Sequence, residues 1–236
     1  MNDFDDRNKY GFKASEDEEW IEVHSGAVTN TNPGSMVHVT INTARICPNI
    51  SNREFRKEVM RARDIGVELV KRRIEGLARW DSKEQDRVQT FFARADEPTR
   101  TVLSDGLPRL LAAMQELVPE KIIRWDSETG KALSCDLKPS SKSTQAAVCK
   151  PDSEKRIIVI HEAFCASPFG RLAIGCKIKT IIHECSHFTD TFNSEDSVYV
   201  DSEAGARIWA QNHPDEAIVN ADSITGYIAT FDKEIK

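Results

Sequence analysis

The chain has 236 residues with 30% charged and 39% hydrophobic side chains, a mean hydropathy of -0.47 and a formal net charge of -6. This length suits one substantial core with a tail and excludes an array of domains. The acidic balance argues against a nucleic-acid-binding face, and no apolar run approaches the ~20 residues of a membrane span; the charge reads either as a solvated surface or as a field suited to basic protein substrates.

At the start of the chain, Met1 to Phe12 is polar and acidic where a secretory signal needs a basic start and an apolar centre. The expected location is therefore cytoplasmic, with export by a non-classical route as the alternative. Acid clusters at Asp3, Asp5 and Asp6 and at Glu16 to Glu19, then a Thr-Asn-Thr-Asn-Pro-Gly-Ser stretch, mark residues 1–35 as a polar extension, flexible or loosely docked. The folded domain is expected over 36–236. Val37, Val39 and Ile41 alternate with polar residues and predict a strand. Ser51 to Glu54 is a capping box opening a long helix, with Phe55, Val59, Ala62, Gly66 and Leu69 on one face and an end near Trp80. A second box, Ser82 to Gln85, opens a helix toward Ala93, and Leu107, Leu110, Leu111, Met114, Leu117 and Val118 mark a third. Residues 51–125 thus form a helical half without obvious chemistry, and Lys71, Arg72 and Arg73 read as an exposed helix face.

Residues 126–236 change in texture. Lys138 to Ser143 is a loop, and Ile157 to Ile160 is a β-branched run expected as a buried strand, either a plain core strand or one that receives substrate backbone. His161-Glu162 lacks the second histidine of a metal motif. Six cysteines (Cys47, Cys135, Cys149, Cys165, Cys176, Cys185) have no paired metal-site spacing, so most are expected as reduced core residues, with Cys135 and Cys149 the first pair to suspect of a disulfide. Two further helices are expected, Asp201 to Asn212 and Pro214 to Phe231.

The chemistry concentrates in Thr180 to Tyr199. His183, Glu184 and His187 form His-Glu-x-x-His, and on a helix residues four apart project both imidazoles from one face toward one metal ion. Ile178, Ile181, Ile182 and Cys185 form the buried stripe, with the histidines off it, and Ser167-Pro168 supplies a start signal for a helix running to Phe188. Glu184 sits beside the ligands but is badly directed to be one, which leaves it free to take a proton from water at the metal. A catalytic zinc takes a third protein ligand from beyond the helix; Asp190, Glu195 and Asp196 are the nearby acids.

Asn193 to Val200 resembles the Gly-Thr-x-Asp-x-x-Tyr-Gly signature of the aspzincin metalloendopeptidases (deuterolysin and the peptidyl-Lys metalloendopeptidases), and Asn220-Ala221-Asp222 matches a segment of their C-terminal helix. Asn193 replaces the first glycine, Ser194 the threonine and Val200 the last glycine. The resemblance implies an α+β, zincin-like fold, predominantly helical with a small sheet beside the active-site helix. It implies one Zn²⁺ per chain held by His183, His187 and Asp196, with Glu184 as general base and Tyr199 stabilising the developing oxyanion; the alternative for Tyr199, less favoured, is a core aromatic. Asp222 is implied either to bind a basic substrate side chain or to support the site. Thr225 stands where lysine-specific members carry an acid. The function implied is a zinc-dependent endopeptidase acting on protein or peptide substrates, with a preference for basic, Lys-containing sites. The alternatives are an effector or toxin protease delivered into another cell, paired with an inhibitor or immunity protein, and a zinc-binding interaction module without turnover.

Overall fold

The computed structural model describes residues 18–27, 36–172, 175–200 and 202–229, and the chain divides into two units, Met1–Phe55 and Arg56–Lys236. In the first, β1 (Glu18–Ala27) pairs antiparallel with β2 (Met36–Ala44), with a register irregularity between Glu22 and His24. The expected strand around Val37 is β2. Glu18–Ala27, within the acidic stretch read as an extension, is strand as well, because the ladder satisfies its backbone groups whatever the side chains prefer.

Helix α1 (Asn52–Arg79) opens on the expected capping box: Ser51 N–H donates to Glu54 Oε2 at 3.0 Å and Glu54 N–H to Ser51 Oγ at 3.2 Å. For α2 (Ser82–Phe92) the cap lies one residue earlier than expected. Asp81 accepts from the Glu84 N–H at 2.9 Å, and the Glu84 carboxylate, instead of reaching back, turns into the core. There it accepts from Arg73 at 3.0 Å and from the Tyr227 hydroxyl at 2.6 Å. Arg73 is therefore 7% exposed and not part of a solvated face. Removing one member of such a buried charged network costs about 3–5 kcal/mol, since its partner stays desolvated.

Asp96 caps α3 (Glu97–Glu116), whose Leu103, Leu107, Leu110 and Met114 are fully buried. Beyond it come β3 (Ile122–Arg124), α4 (Glu128–Lys131), β4 (Ala146–Val148), β5 (Ile158–Ile160) and α5 (Glu162–Ala166). The sheet order is β3-β5-β4, with β3 parallel and β4 antiparallel to β5. Ile158, Val159 and Ile160 are buried at the centre of this sheet, so β5 is the core strand and β3 and β4 are its edges. A disulfide joins Cys135 to Cys149. Cys47 and Cys165 are disulfide-bonded as well, which leaves Cys176 and Cys185 as buried thiols and corrects the expectation that most cysteines are reduced.

Helix α6 (Lys177–Ser186) carries the His-Glu-x-x-His motif and packs on α3, α9 and β4. Ile178, Ile181, Ile182 and Cys185 are fully buried, as their spacing requires. The helix starts ten residues after the predicted Ser167 cap. Ser167 Oγ bonds back to the Phe164 carbonyl that ends α5, and the first amides of α6 find the carbonyls of Pro168 (from Lys177, 3.0 Å) and Phe169 (from Ile178, 3.4 Å). After α7 (Glu203–Asn212), the single expected C-terminal helix is two, α8 (Pro214–Ala217) and α9 (Ala221–Ala229). The break is tertiary: Glu195 N–H donates to the Val219 carbonyl at 2.7 Å and Ala221 N–H to the Glu195 carbonyl at 2.9 Å, a parallel bridge that a continuous helix would forbid. The chain after Ala229 lies outside the described residues. Among those described, no helix is long and apolar enough to cross a membrane.

A Cβ on Gly226 would stand 2.4 Å from the buried Phe91 ring, so α9 and α2 touch through a position with no room for a methyl group. Gly226→Ala is expected to lower stability by about 1–3 kcal/mol, read as a lower urea midpoint with an unchanged denaturant slope.

Candidate active site

His183, in the last turn of α6, and His187, at its C-cap, lie one turn apart, both buried, and their Nε2 atoms converge on one oxygen of Asp196: 3.0 Å from His183 and 3.3 Å from His187 to Oδ1. The candidate ligand atoms of these three residues all lie within 4.8 Å of one another. Asp196 is the acid that remains after its neighbours are spoken for. Asp190 is held by Arg156 at 2.6 Å, which keeps its carboxyl below the usual range, and Glu195 is held by Lys150 at 2.6 Å.

Asp196 reaches α6 because the intervening loop is tied at several points. Asn193 takes a left-handed backbone (φ 49°), as the asparagine-for-glycine replacement permits. The hydroxyl of Ser194, fully buried, sits 2.7 Å from Ser186 Oγ, and its carbonyl lies 2.9 Å from His187 Nδ1. Asn220, just ahead of α9, accepts through Oδ1 from the amides of Ser197 (3.1 Å) and Val198 (3.2 Å). Asn220 was legible only as part of the Asn-Ala-Asp match; the signal for its clamp is a buried amide side chain placed just before a helix.

Asp222, in the first turn of α9, has both oxygens engaged: Oδ1 lies 2.9 Å from His183 Nδ1, and Oδ2 accepts from the Val200 N–H at 2.8 Å. Each histidine therefore has an acceptor behind its Nδ1, which fixes the ring so that Nε2 faces Asp196 and is the nitrogen a metal ion would take. This donor set, two oriented imidazoles and one carboxylate, fits a divalent transition metal. The Val200 replacement leaves the loop intact, since the amide it contributes belongs to the backbone.

A family model described as lysine-specific metallo-endopeptidase, the aspzincins, matches residues 77–229, about two thirds of the chain. The chain belongs to this family. Its fold is similar to that of a zinc peptidase from Grifola frondosa, with 18% identity, a TM-score of 0.54, and coverage of 74% of this chain and 93% of that one. Comparison with curated proteins returned no match. This aspzincin is accordingly a metal-dependent peptide hydrolase, and its α+β architecture is that of the resemblance.

Glu184 is 5% exposed beside the two histidines, and burial raises its carboxyl pKa, with His183 and His187 opposing that rise. Burial by itself would depress the His183 pKa, but hydrogen bonds to Asp196 and Asp222 and the charge of Glu184 outweigh it and hold the ring proton up to about 10. Burial likewise opposes ionisation of Asp196, and the two imidazoles overcome it, leaving this carboxyl far below its ordinary value. Tyr199 stacks on the His183 ring, 6.0 Å between centroids at 16°, with its body exposed and its phenol pKa raised by desolvation of the hydroxyl end and by the Asp196 charge. These groups open into a cleft of about 1020 Å³ whose opposite wall is the edge strand β4 with the loop closed by the Cys135–Cys149 disulfide. His161 is buried against Trp125, and among the described residues only the His183, His187, Asp196 set can hold a metal ion.

Two outcomes follow for the aspzincin. Asp196→Ala is expected to abolish stoichiometric metal uptake, while Asp222→Asn, which keeps the shape but weakens the support behind His183, is expected to reduce metal affinity about 10- to 100-fold; chelator competition on folded protein checks both. Because a metal must displace the proton that His183 holds up to about 10, metal affinity is expected to rise about tenfold per pH unit from about pH 6 to 9. Isothermal titration in buffers of different ionisation enthalpy reads this as close to one proton released per metal bound.

Proposed function

We propose that the aspzincin is a zinc endopeptidase in which His183, His187 and Asp196 hold the ion, Glu184 moves the proton and Tyr199 steadies the carbonyl oxygen. The observation that carries this reading is the convergence of both Nε2 atoms on Asp196 while a buried carboxylate, Glu184, stays outside that set. Zinc bound there would supply Lewis-acid polarisation of water and of the scissile carbonyl.

The protein's own residues supply the rest. Substrate backbone is received along β4, whose outer edge faces the cleft; β5, the strand first considered for that part, already pairs on both sides. Burial raises the proton affinity of Glu184, the direction that suits a carboxylate acting as a base. It takes a proton from the attacking water and delivers it to the departing amine, so the proton lost by the nucleophile ends on the new N-terminus. Tyr199, protonated throughout because its pKa is raised, donates to the carbonyl oxygen as negative charge builds on it. Asp222 serves as a positioning residue behind His183, and the substrate-binding part considered for it is set aside because both its oxygens are occupied. The disulfide-bonded cysteines suit action in an oxidising compartment more than in the cytoplasm.

Glu184→Gln tests the assignment. It is expected to bind zinc as wild type does and to cleave an unfolded protein about 10²- to 10⁴-fold more slowly. Normal zinc binding with wild-type turnover would refute the general-base role. Tyr199→Phe is expected to lower kcat about 10- to 100-fold with KM little changed, because its hydrogen bond strengthens only as the oxyanion forms.

A further inference from the structure

We infer, on the peptidase reading above, that the cleft favours an acidic substrate side chain next to the scissile bond, and that Lys179 is the residue that recognises it. Four carboxylates line the cleft, and each is committed. Glu195 is paired with Lys150 at 2.6 Å, Asp196 faces both histidines, and Asp222 is held by His183 at 2.9 Å and the Val200 amide at 2.8 Å. Glu184 is buried beside the histidines and needed for proton transfer. A substrate lysine entering the cleft would find no free acid among the described residues, and its ammonium would lose water without gaining a countercharge.

Lys179 is the one cleft-lining lysine whose ammonium has no hydrogen bond or ion pair to any described residue. It is half-buried and stands on α6 four residues before His183, hence one turn up the same face as both histidine ligands. A helical turn is about 5.4 Å and one residue of extended peptide about 3.3 Å, so a lysine one turn from the ligands reaches the side chain of a residue adjacent to the bond being cut. The surrounding surface is neutral and polar. Thr180 donates to Gln145 Oε1 at 2.8 Å, and Thr225 contributes a buried hydroxyl without a partner instead of a charge. A carboxylate placed here gains one unshared cation in a partly desolvated cleft, where such a pair discriminates more strongly than on an open surface.

The test uses quenched-fluorescence peptides identical except for Glu, Gln, Ala or Lys on either side of the cleavable bond, with zinc-loaded wild type, Lys179→Gln and Lys179→Glu, each verified for metal content and circular dichroism. Wild type is expected to show kcat/KM about tenfold higher for Glu than for Lys peptides. Lys179→Gln should bring the two within about threefold, and Lys179→Glu should reverse the order. A wild-type preference for Lys, or an order unchanged in both variants, overturns the inference while leaving the peptidase reading intact. Failure of the zinc-loaded wild type to cut any peptide or unfolded casein would instead refute the peptidase reading on which this one rests. If Lys179→Glu folds poorly, the Gln variant alone decides, since loss of discrimination without loss of charge balance elsewhere is not expected from a structural role.

Discussion

Two hydrogen bonds between Glu195 and the backbone of Val219 and Ala221 join the stretches of chain that the site needs on either side of α6. On one side they fix Asp196, the next residue, over the two imidazoles; on the other they stop α8 and let α9 begin at Ala221, so that Asp222 falls behind His183. Asn220 reinforces the join through its side chain, and Lys150 closes it from the β4 side by pairing with Glu195. Backbone pairing of this kind is insensitive to side-chain rotamer entropy, which makes it a firmer hinge for a ligand loop than surface ion pairs would be.

The electrostatics depend on the same join. Two imidazoles and three carboxylates sit within a few side chains of one another in a buried site, an arrangement tolerable only when every charge has an assigned partner. Asp196 and Asp222 stabilise the histidines from opposite sides, and Glu184 is left with a raised proton affinity because burial outweighs its neighbours. Further out, Arg156, in a left-handed turn position (φ 53°), holds Asp190 and Glu116 and lies 5.1 Å from the Phe188 ring centre. That cluster anchors the end of α6 and keeps Asp190 from competing for the metal. The Arg73, Glu84 and Tyr227 network plays a comparable part for α9, tying the helix that carries Asp222 to α1 and α2.

The cleft follows from the small sheet. With β5 saturated on both sides, β3 and β4 are the edge strands and β4 is the one that lines the cleft, and the Cys135–Cys149 bridge limits how far the loop before it can move. A closed loop of that size contributes about 3 kcal/mol by restricting the unfolded chain. A firm wall opposite a firm helix favours binding of an extended peptide, because less ordering remains to be done on association.

Local pattern alone determined the helix bearing His183, Glu184 and His187, its buried isoleucine stripe, the Ser51 capping box and the central strand at Ile157 to Ile160, since each depends on a period of 3.6 or 2 residues or on contacts three residues apart. Similarity to a known signature pointed to Asp196 and Tyr199. Tertiary structure decided the rest. The start of α6 at Lys177 depends on carbonyls lent by Pro168 and Phe169, the break before α9 on pairing with Glu195, and the inward turn of Glu84 on Arg73 and Tyr227. The part played by Asp222 was open to the sequence because an acid on a helix can face a substrate or a histidine equally well. Only the packing of α9 against α6 aims it at His183 Nδ1, since that contact spans 39 residues and no local rule reaches so far.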